Sequence, residues 1–249
     1  MTGTKIMPKK NPRSTQKVPS ATAKQAVVEK EGLPSDVAAI RKEIKAFFES
    51  LDDQGTKIGR RKWGVYAFYD YDNEPIYVGQ TYEGLGSRIG RHLTNQRTDA
   101  VAMNVLDPFE AAGIRVWPMD LGALSVVKQK EHLDRAEFTV FQKVIAESKL
   151  GAVLNEKQPG PRPLVELPKC YTTRIIPPEI FPHRKHPDIR IARRASTIAS
   201  LARVISERKV SHGLRQTLLT QARRLESLAA ERLKDSPADE AEGNDDPPA

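Results

Sequence analysis

Apolar and polar positions alternate along this chain in two rhythms, one of helices and one of strands. After Ser35, the residues Val37, Ile40, Ile44, Phe47, Phe48 and Leu51 recur at helical spacing with Arg41, Lys42 and Lys45 opposite, which predicts an amphipathic helix. Two short runs rich in Val, Ile, Tyr and Phe, 64–69 and 76–80, then flank D-Y-D-N-E-P, a stretch of turn chemistry. This predicts a β-hairpin. Pairing Tyr69 with Ile76 sets Tyr66 opposite Gly79 and Phe68 opposite Tyr77, so both tyrosines share one face and Gly79 leaves room for the Tyr66 ring. Gly84 and Gly86 end the strand, and Ser87 can cap a helix whose Arg88 and His92 lie four apart, on one face.

Further on, Thr98 can cap a helix through Val101 and Val105, and Asp107-Pro108-Phe109-Glu110 is a cap, first-turn proline and capping-box acid. Gly113 ends that turn, and Ile114-Arg115-Val116-Trp117 alternates as a third strand would. A helix over 131–148 puts Leu133, Ala136, Val140, Phe141 and Val144 on one stripe with Glu137 near its centre. A carboxylate there loses hydration and needs an arginine, a hydrogen-bond network or a metal ion. Glu131, Asp134 and Glu147 fall on the solvent side or at the helix end by the same count.

Eight prolines between 159 and 187 predict a mostly extended linker. Beyond it, residues 189–209 and 214–234 carry the stripes Ala195, Ile198, Ala202, Ile205 and Leu214, Leu218, Ala222, Leu225, Ala229, around Gly213. These predict a helical hairpin. The expected organisation is a basic disordered arm (1–33), an α+β core with a small three-stranded antiparallel sheet flanked by helices (34–158), the linker (159–187), a basic helical hairpin (188–234) and an acidic disordered tail (235–249).

Charge sharpens this picture. The net charge is +8, residues 1–24 hold six Lys/Arg and no acid, and 174–225 hold 12 Lys/Arg against three acids. A basic body favours polyanions such as nucleic acid, with Arg91, Arg193, Arg194, Arg208 and Lys209 as candidate contacts. On this view the helical hairpin is a separable grip, and removing everything after Pro168 leaves the core assembled. The alternative use of its stripes is a homodimer contact. A single cysteine, Cys170, excludes an internal disulfide and a cysteine-rich zinc site and fits a reducing compartment. No apolar run approaches the roughly 18 residues of a membrane span, and no signal-peptide core follows the basic start. The expectation is a cytoplasmic protein with no membrane partner.

Gly64-Val65-Tyr66, Tyr77-Val78-Gly79 and Arg88-x-x-x-His92 together resemble the GIY-YIG nucleases, with Val for Ile in both tripeptides. The likeness extends to a Glu on a later helix, Glu137, and an Asn beyond it, Asn155, and it is nearest the restriction-endonuclease-like members. It implies a divalent-metal-dependent DNA endonuclease. In that role Tyr66 positions or deprotonates the attacking water, Arg88 polarises the scissile phosphate, Tyr77 and His92 support the centre, and Glu137 holds Mg²⁺ or another divalent cation such as Mn²⁺. Asn155 orients the metal shell or substrate, or else merely closes a turn. Several members carry Lys after the second tripeptide where this chain has Gln80, which shifts the burden to His92, Arg91 or the metal. A phenol is a poor base at neutral pH without a neighbouring cation. The competing expectation is a non-catalytic nucleic-acid-binding or dimeric assembly protein on the same fold.

Overall fold

The computed structural model describes residues 35–93 and 107–235. The N-terminal arm, the helix expected from Thr98 and nearly all of the acidic tail lie outside them. The chain runs α1 (Ser35–Glu49), β1 (Trp63–Tyr69), β2 (Pro75–Thr81), α2 (Leu85–Leu93), β3 (Gly113–Met119), α3 (Val126–Glu147), β4 (Tyr171–Arg174), α4 (Phe181–Lys185), α5 (Pro187–Glu207) and α6 (His212–Asp235). Among the described residues the sheet is antiparallel with order β2-β1-β3-β4.

The hairpin has the expected register at its functional end, with Tyr66 opposite Gly79 and Phe68 opposite Tyr77. Nearer the turn, a bulge after Phe68 pairs Tyr69 with Pro75 rather than Ile76. The turn is built by Asp70, whose Oδ1 accepts the backbone N–H groups of Asp72 (2.9 Å) and Glu74 (3.0 Å), while Asn73 takes a left-handed φ of 58°. Asn tolerates that conformation at small cost.

Alternation divides the sheet's side chains between two apolar layers. Tyr66, Phe68, Ile114 and Val116 pack with Ile44 of α1, Leu85 and Ile89 of α2, Leu201 of α5 and Leu214 of α6. On the other face Val65, Ala67, Val78, Trp117 and Met119 meet Leu133, Ala136, Val140, Phe141 and Val144, the stripe expected of α3. In α2 the helix starts at Leu85, so Ser87 lies within its first turn rather than capping it.

Two expectations are corrected. The sheet has a fourth strand, β4, within the proline-rich stretch, where Tyr171-Thr172-Thr173-Arg174 pairs with Val116 back to Gly113. Those four residues contain no proline, so their N–H groups are free to complete a ladder on the edge of β3.

The second correction concerns the helical hairpin, whose expected stripes are rotated. Ala195, Ala202, Ala222 and Ala229 are exposed, and the buried faces are Arg190, Arg194, Leu201 and Val204 on α5 and Leu214, Thr217, Gln221, Arg224 and Leu228 on α6. The three arginines turn inward because the hairpin turn offers them carboxylates. Asp70 Oδ2 accepts from Arg190 (3.1 Å), Arg194 (3.0 Å) and Arg224 (2.7 Å). Arg194 also donates to Glu110 (2.9 Å), Arg190 pairs with Asp72, and Arg224 donates to the Pro75 carbonyl (3.1 Å). Burial pushes the Arg224 guanidinium down to about 10, against the pull of Asp70, and it stays charged at neutral pH. Arg194 is therefore an internal ion-pair partner rather than a surface contact for nucleic acid. The buried apolar residues of both helices are spent on the chain's own core.

Breaking a buried, hydrogen-bonded ion pair from one side leaves an uncompensated charge and costs about 3–5 kcal/mol. Arg224→Ala and Asp70→Ala should each lower unfolding stability by about that amount in urea melts followed by circular dichroism, whereas exposed Arg208→Ala should change it by about 0.5 kcal/mol or less. Ending the chain after Pro168 removes β4 and all three arginines, so the remainder should lose cooperative unfolding. Parent-like stability of Arg224→Ala would show that the cluster does not tie the hairpin to the helices.

Candidate active site

The aromatic half of the site rests on β1 and β2. Tyr66 and Tyr77 project from the same face, their ring centres 6.2 Å apart. An added Cβ at Gly79 would lie 2.7 Å from the Tyr66 hydroxyl, so only glycine there lets the phenol cross β2. His92, buried on α2, packs 5.1 Å from the Tyr77 ring and 5.8 Å from that of Tyr66. Arg88, one turn earlier, is half-buried against the phenols. Burial opposes its charge, but Tyr66 and Tyr77 more than offset that, and its pKa is raised. The charge of Arg88 and the two phenols therefore act on one another. Tyr66 is fully buried while Tyr77 is only partly covered, which puts Tyr77 and Arg88 at the mouth of the cluster. Arg91 is partly exposed and paired with Glu83.

The carboxylate half lies across the edge strand. Gln80 points to the face covered by α3, where its Nε2 donates to Asp134 Oδ1 (2.9 Å) and Glu137 Oε2 (3.1 Å). Asp134 is therefore not a plain solvent-side acid: its second oxygen takes Lys130 Nζ at 2.6 Å, and its carboxyl helps fix Gln80. Asp134 was missed because a single charged residue beside an apolar stripe reads as solvated; the available signal was its i, i+3 spacing from Glu137. Glu147 likewise has partners, accepting from Tyr69 (3.1 Å) and Arg115 (2.8 Å).

Glu137 is pushed up to about 7, first by burial and then by Asp134, while Gln80, Arg88 and Lys130 pull the other way. Of these, Arg88 acts from the other half of the site, its positive charge favouring the ionised Glu137 carboxyl.

Asn155 bonds the backbone of β2. Its Oδ1 accepts from the Val78 N–H (3.0 Å) and its Nδ2 donates to the Val78 carbonyl (2.6 Å). Leu154 N donates to the Ile76 carbonyl at 2.8 Å, so the segment completes the open edge of β2. The Asn155 amide makes both bonds to the strand that carries Tyr77 and Gly79.

Residues 62–146 match the family model of the GIY-YIG catalytic domain. This segment is a GIY-YIG domain. It spans β1 to nearly the end of α3 and so includes Tyr66, Tyr77, Arg88, His92 and Glu137, while Asn155 and the C-terminal helices lie outside it. No curated protein and no solved structure shows significant similarity to the chain. Within the GIY-YIG domain and around it, no group of three or more His, Cys, Asp or Glu among the described residues could hold a metal ion. Glu137 nevertheless suits a divalent cation: it is a largely desolvated carboxylate whose direct partner is the neutral Gln80 amide.

Because the folded-state pKa of Glu137 lies near 7, above the ordinary 4.5, the unfolded chain releases this proton first as pH rises. Stability of the metal-free protein should then fall between those two values and level off above them. Glu137→Gln should flatten that fall, measured by urea melts with EDTA at about pH 5 and about pH 8. A parent and variant with the same pH slope would exclude a raised Glu137 pKa.

Proposed function

We propose that this protein is a divalent-metal-dependent DNA endonuclease that hydrolyses phosphodiester bonds through Arg88, Tyr77, Tyr66, His92 and Glu137. The observation that carries this reading is the convergence of a cation, two phenols and a buried imidazole within one aromatic cluster, with a desolvated carboxylate across the edge strand. A packing role alone would require neither Arg88 against the phenols nor Glu137 beside an apolar stripe.

Phosphodiester cleavage needs an in-line water and stabilisation of charge on the phosphoryl oxygens and the leaving oxygen. Arg88 is the half-exposed cation able to hold a phosphate at the mouth of the cluster. The phenol of Tyr77 or Tyr66 orients the attacking water and takes its proton, with Arg88 favouring the phenolate. His92 fixes both rings from behind. Glu137 would hold the metal ion. When bound, a divalent cation supplies Lewis-acid stabilisation of the leaving oxygen. Asn155 and Gln80 keep the phenol-bearing strand and the carboxylate in register around Gly79. Exposed Arg208 and Lys209, together with Arg203, Arg215 and Arg223, leave the helical hairpin a basic outer surface that favours a polyanion.

Supercoiled plasmid should be nicked or linearised with Mg²⁺ or Mn²⁺ and left intact with EDTA. Glu137→Ala should abolish cutting without loss of fold, and Arg88→Ala should lower single-turnover cleavage at saturating DNA by about 10²–10³. A parent protein that binds but never cuts would favour the non-catalytic binding module, and full activity in both variants would remove these residues from the chemistry.

A further inference from the structure

The turn between β2 and α2 displays an aromatic ring that the proposed chemistry does not use. Tyr82 is 72% exposed, although the residues on either side of its turn are held firmly. Thr81 is buried and its Oγ1 accepts the Glu83 N–H at 3.1 Å. Gly84, at a φ of 116° that favours glycine, donates its N–H to the Lys62 carbonyl at 3.0 Å, and Leu85 donates to the Arg61 carbonyl at 3.0 Å. The ring is therefore carried on an ordered support.

An isolated exposed tyrosine means little, but this one has chemically matched neighbours. The next residue in the chain, Glu83, reaches Arg88 at 3.9 Å, which sets Tyr82 beside that cation's ion pair. Gly64 and Thr81 form the last pair of the β1–β2 ladder; half-buried Trp63 precedes Gly64 on β1, and Tyr82 follows Thr81 in the bend that leaves β2. Lys62 sits 4.9 Å over the Trp63 ring, and Glu83 holds Arg91 and, at 3.9 Å, Arg88. Aromatic faces interleaved with cations at the lip of a phosphate-handling site form the arrangement that stacks bases while gripping a backbone.

We propose that Tyr82 is a base-stacking residue that takes an unpaired nucleobase next to the phosphate held by Arg88, so that the protein prefers substrates with an extrahelical or frayed base there over fully paired duplex. This rests on the nuclease reading above. The intact stacking inside a duplex leaves no base face for Tyr82, whereas a bulged base offers one at no unpairing cost.

The test uses the full chain in EDTA with two labelled duplexes, one fully paired and one with a single extrahelical 2-aminopurine. The parent should bind the bulged duplex more tightly and quench its 2-aminopurine fluorescence. Tyr82→Ala should weaken that complex about tenfold, within the range of one base–aromatic stack, and abolish the quench, with binding of the paired duplex unchanged. Tyr82→Phe, which keeps the ring, should behave as the parent. Equal affinity of the parent for both duplexes, or an equal loss on both in Tyr82→Ala, would overturn the assignment while plasmid cleavage still stood. A parent that neither binds nor cuts nucleic acid would instead bring down the proposed function, and this inference with it.

Discussion

A single carboxylate oxygen, Asp70 Oδ2, receives three arginines from two helices more than a hundred residues away in sequence. Its partner oxygen shapes the turn between β1 and β2. One side chain thus decides both the hairpin that carries Tyr66 and Tyr77 and the docking of α5 and α6 behind it. Such a cluster is not a cheap source of stability, because each charge surrenders its hydration on burial. Its value lies in direction. Apolar packing of Leu201 and Leu214 would tolerate small slips, whereas guanidinium groups that must reach Asp70, Glu110 and the Pro75 carbonyl together accept few arrangements.

That constraint also explains where the sequence was legible. Steric and periodic rules were enough for the functional hairpin, since Gly79 can face only a residue that needs its space, and Tyr66 is that residue. The stripe of α3 was equally clear, because five apolar residues at helical spacing fix that face even with Glu137 beside them. The rules failed where charge is internal. Arg190, Arg194 and Arg224 stand at the centre of the buried helix faces, yet a periodicity argument treats arginine as a solvent marker and rotates both helices to put alanines inside. The information that corrects it, Asp70 and Glu110, is distant in sequence and looks like ordinary turn and cap chemistry. β4 was hidden for a related reason: four proline-free residues among many prolines acquire strand structure only from the exposed edge of β3.

Within the candidate site the residue types were legible and some of their tasks were not. The late Asn left two readings open, a group turned to metal or substrate and a turn residue, and neither foresaw that Asn155 bonds the β2 edge with its side-chain amide as a peptide group would. Gln80, where a lysine was to be expected, is not an empty substitution. A lysine there would neutralise Glu137 directly, while the neutral amide holds both carboxylates in place and leaves Lys130 to pair with Asp134 alone.

An uncompensated carboxylate in a partly dry setting takes up a proton or attracts a cation, and the surrounding structure decides which. At Glu137 the proton is favoured by burial and by Asp134, and opposed by Arg88 from across the strand. Arg88 owes its position to the phenols, which owe theirs to Gly79 and to a hairpin anchored at Asp70. The glycine matters in this chain of dependence because it admits the Tyr66 phenol. A side chain at that position would meet the Tyr66 hydroxyl at 2.7 Å, so β2 could keep its pairing with β1 only by displacing the phenol from its place beside Arg88 and His92.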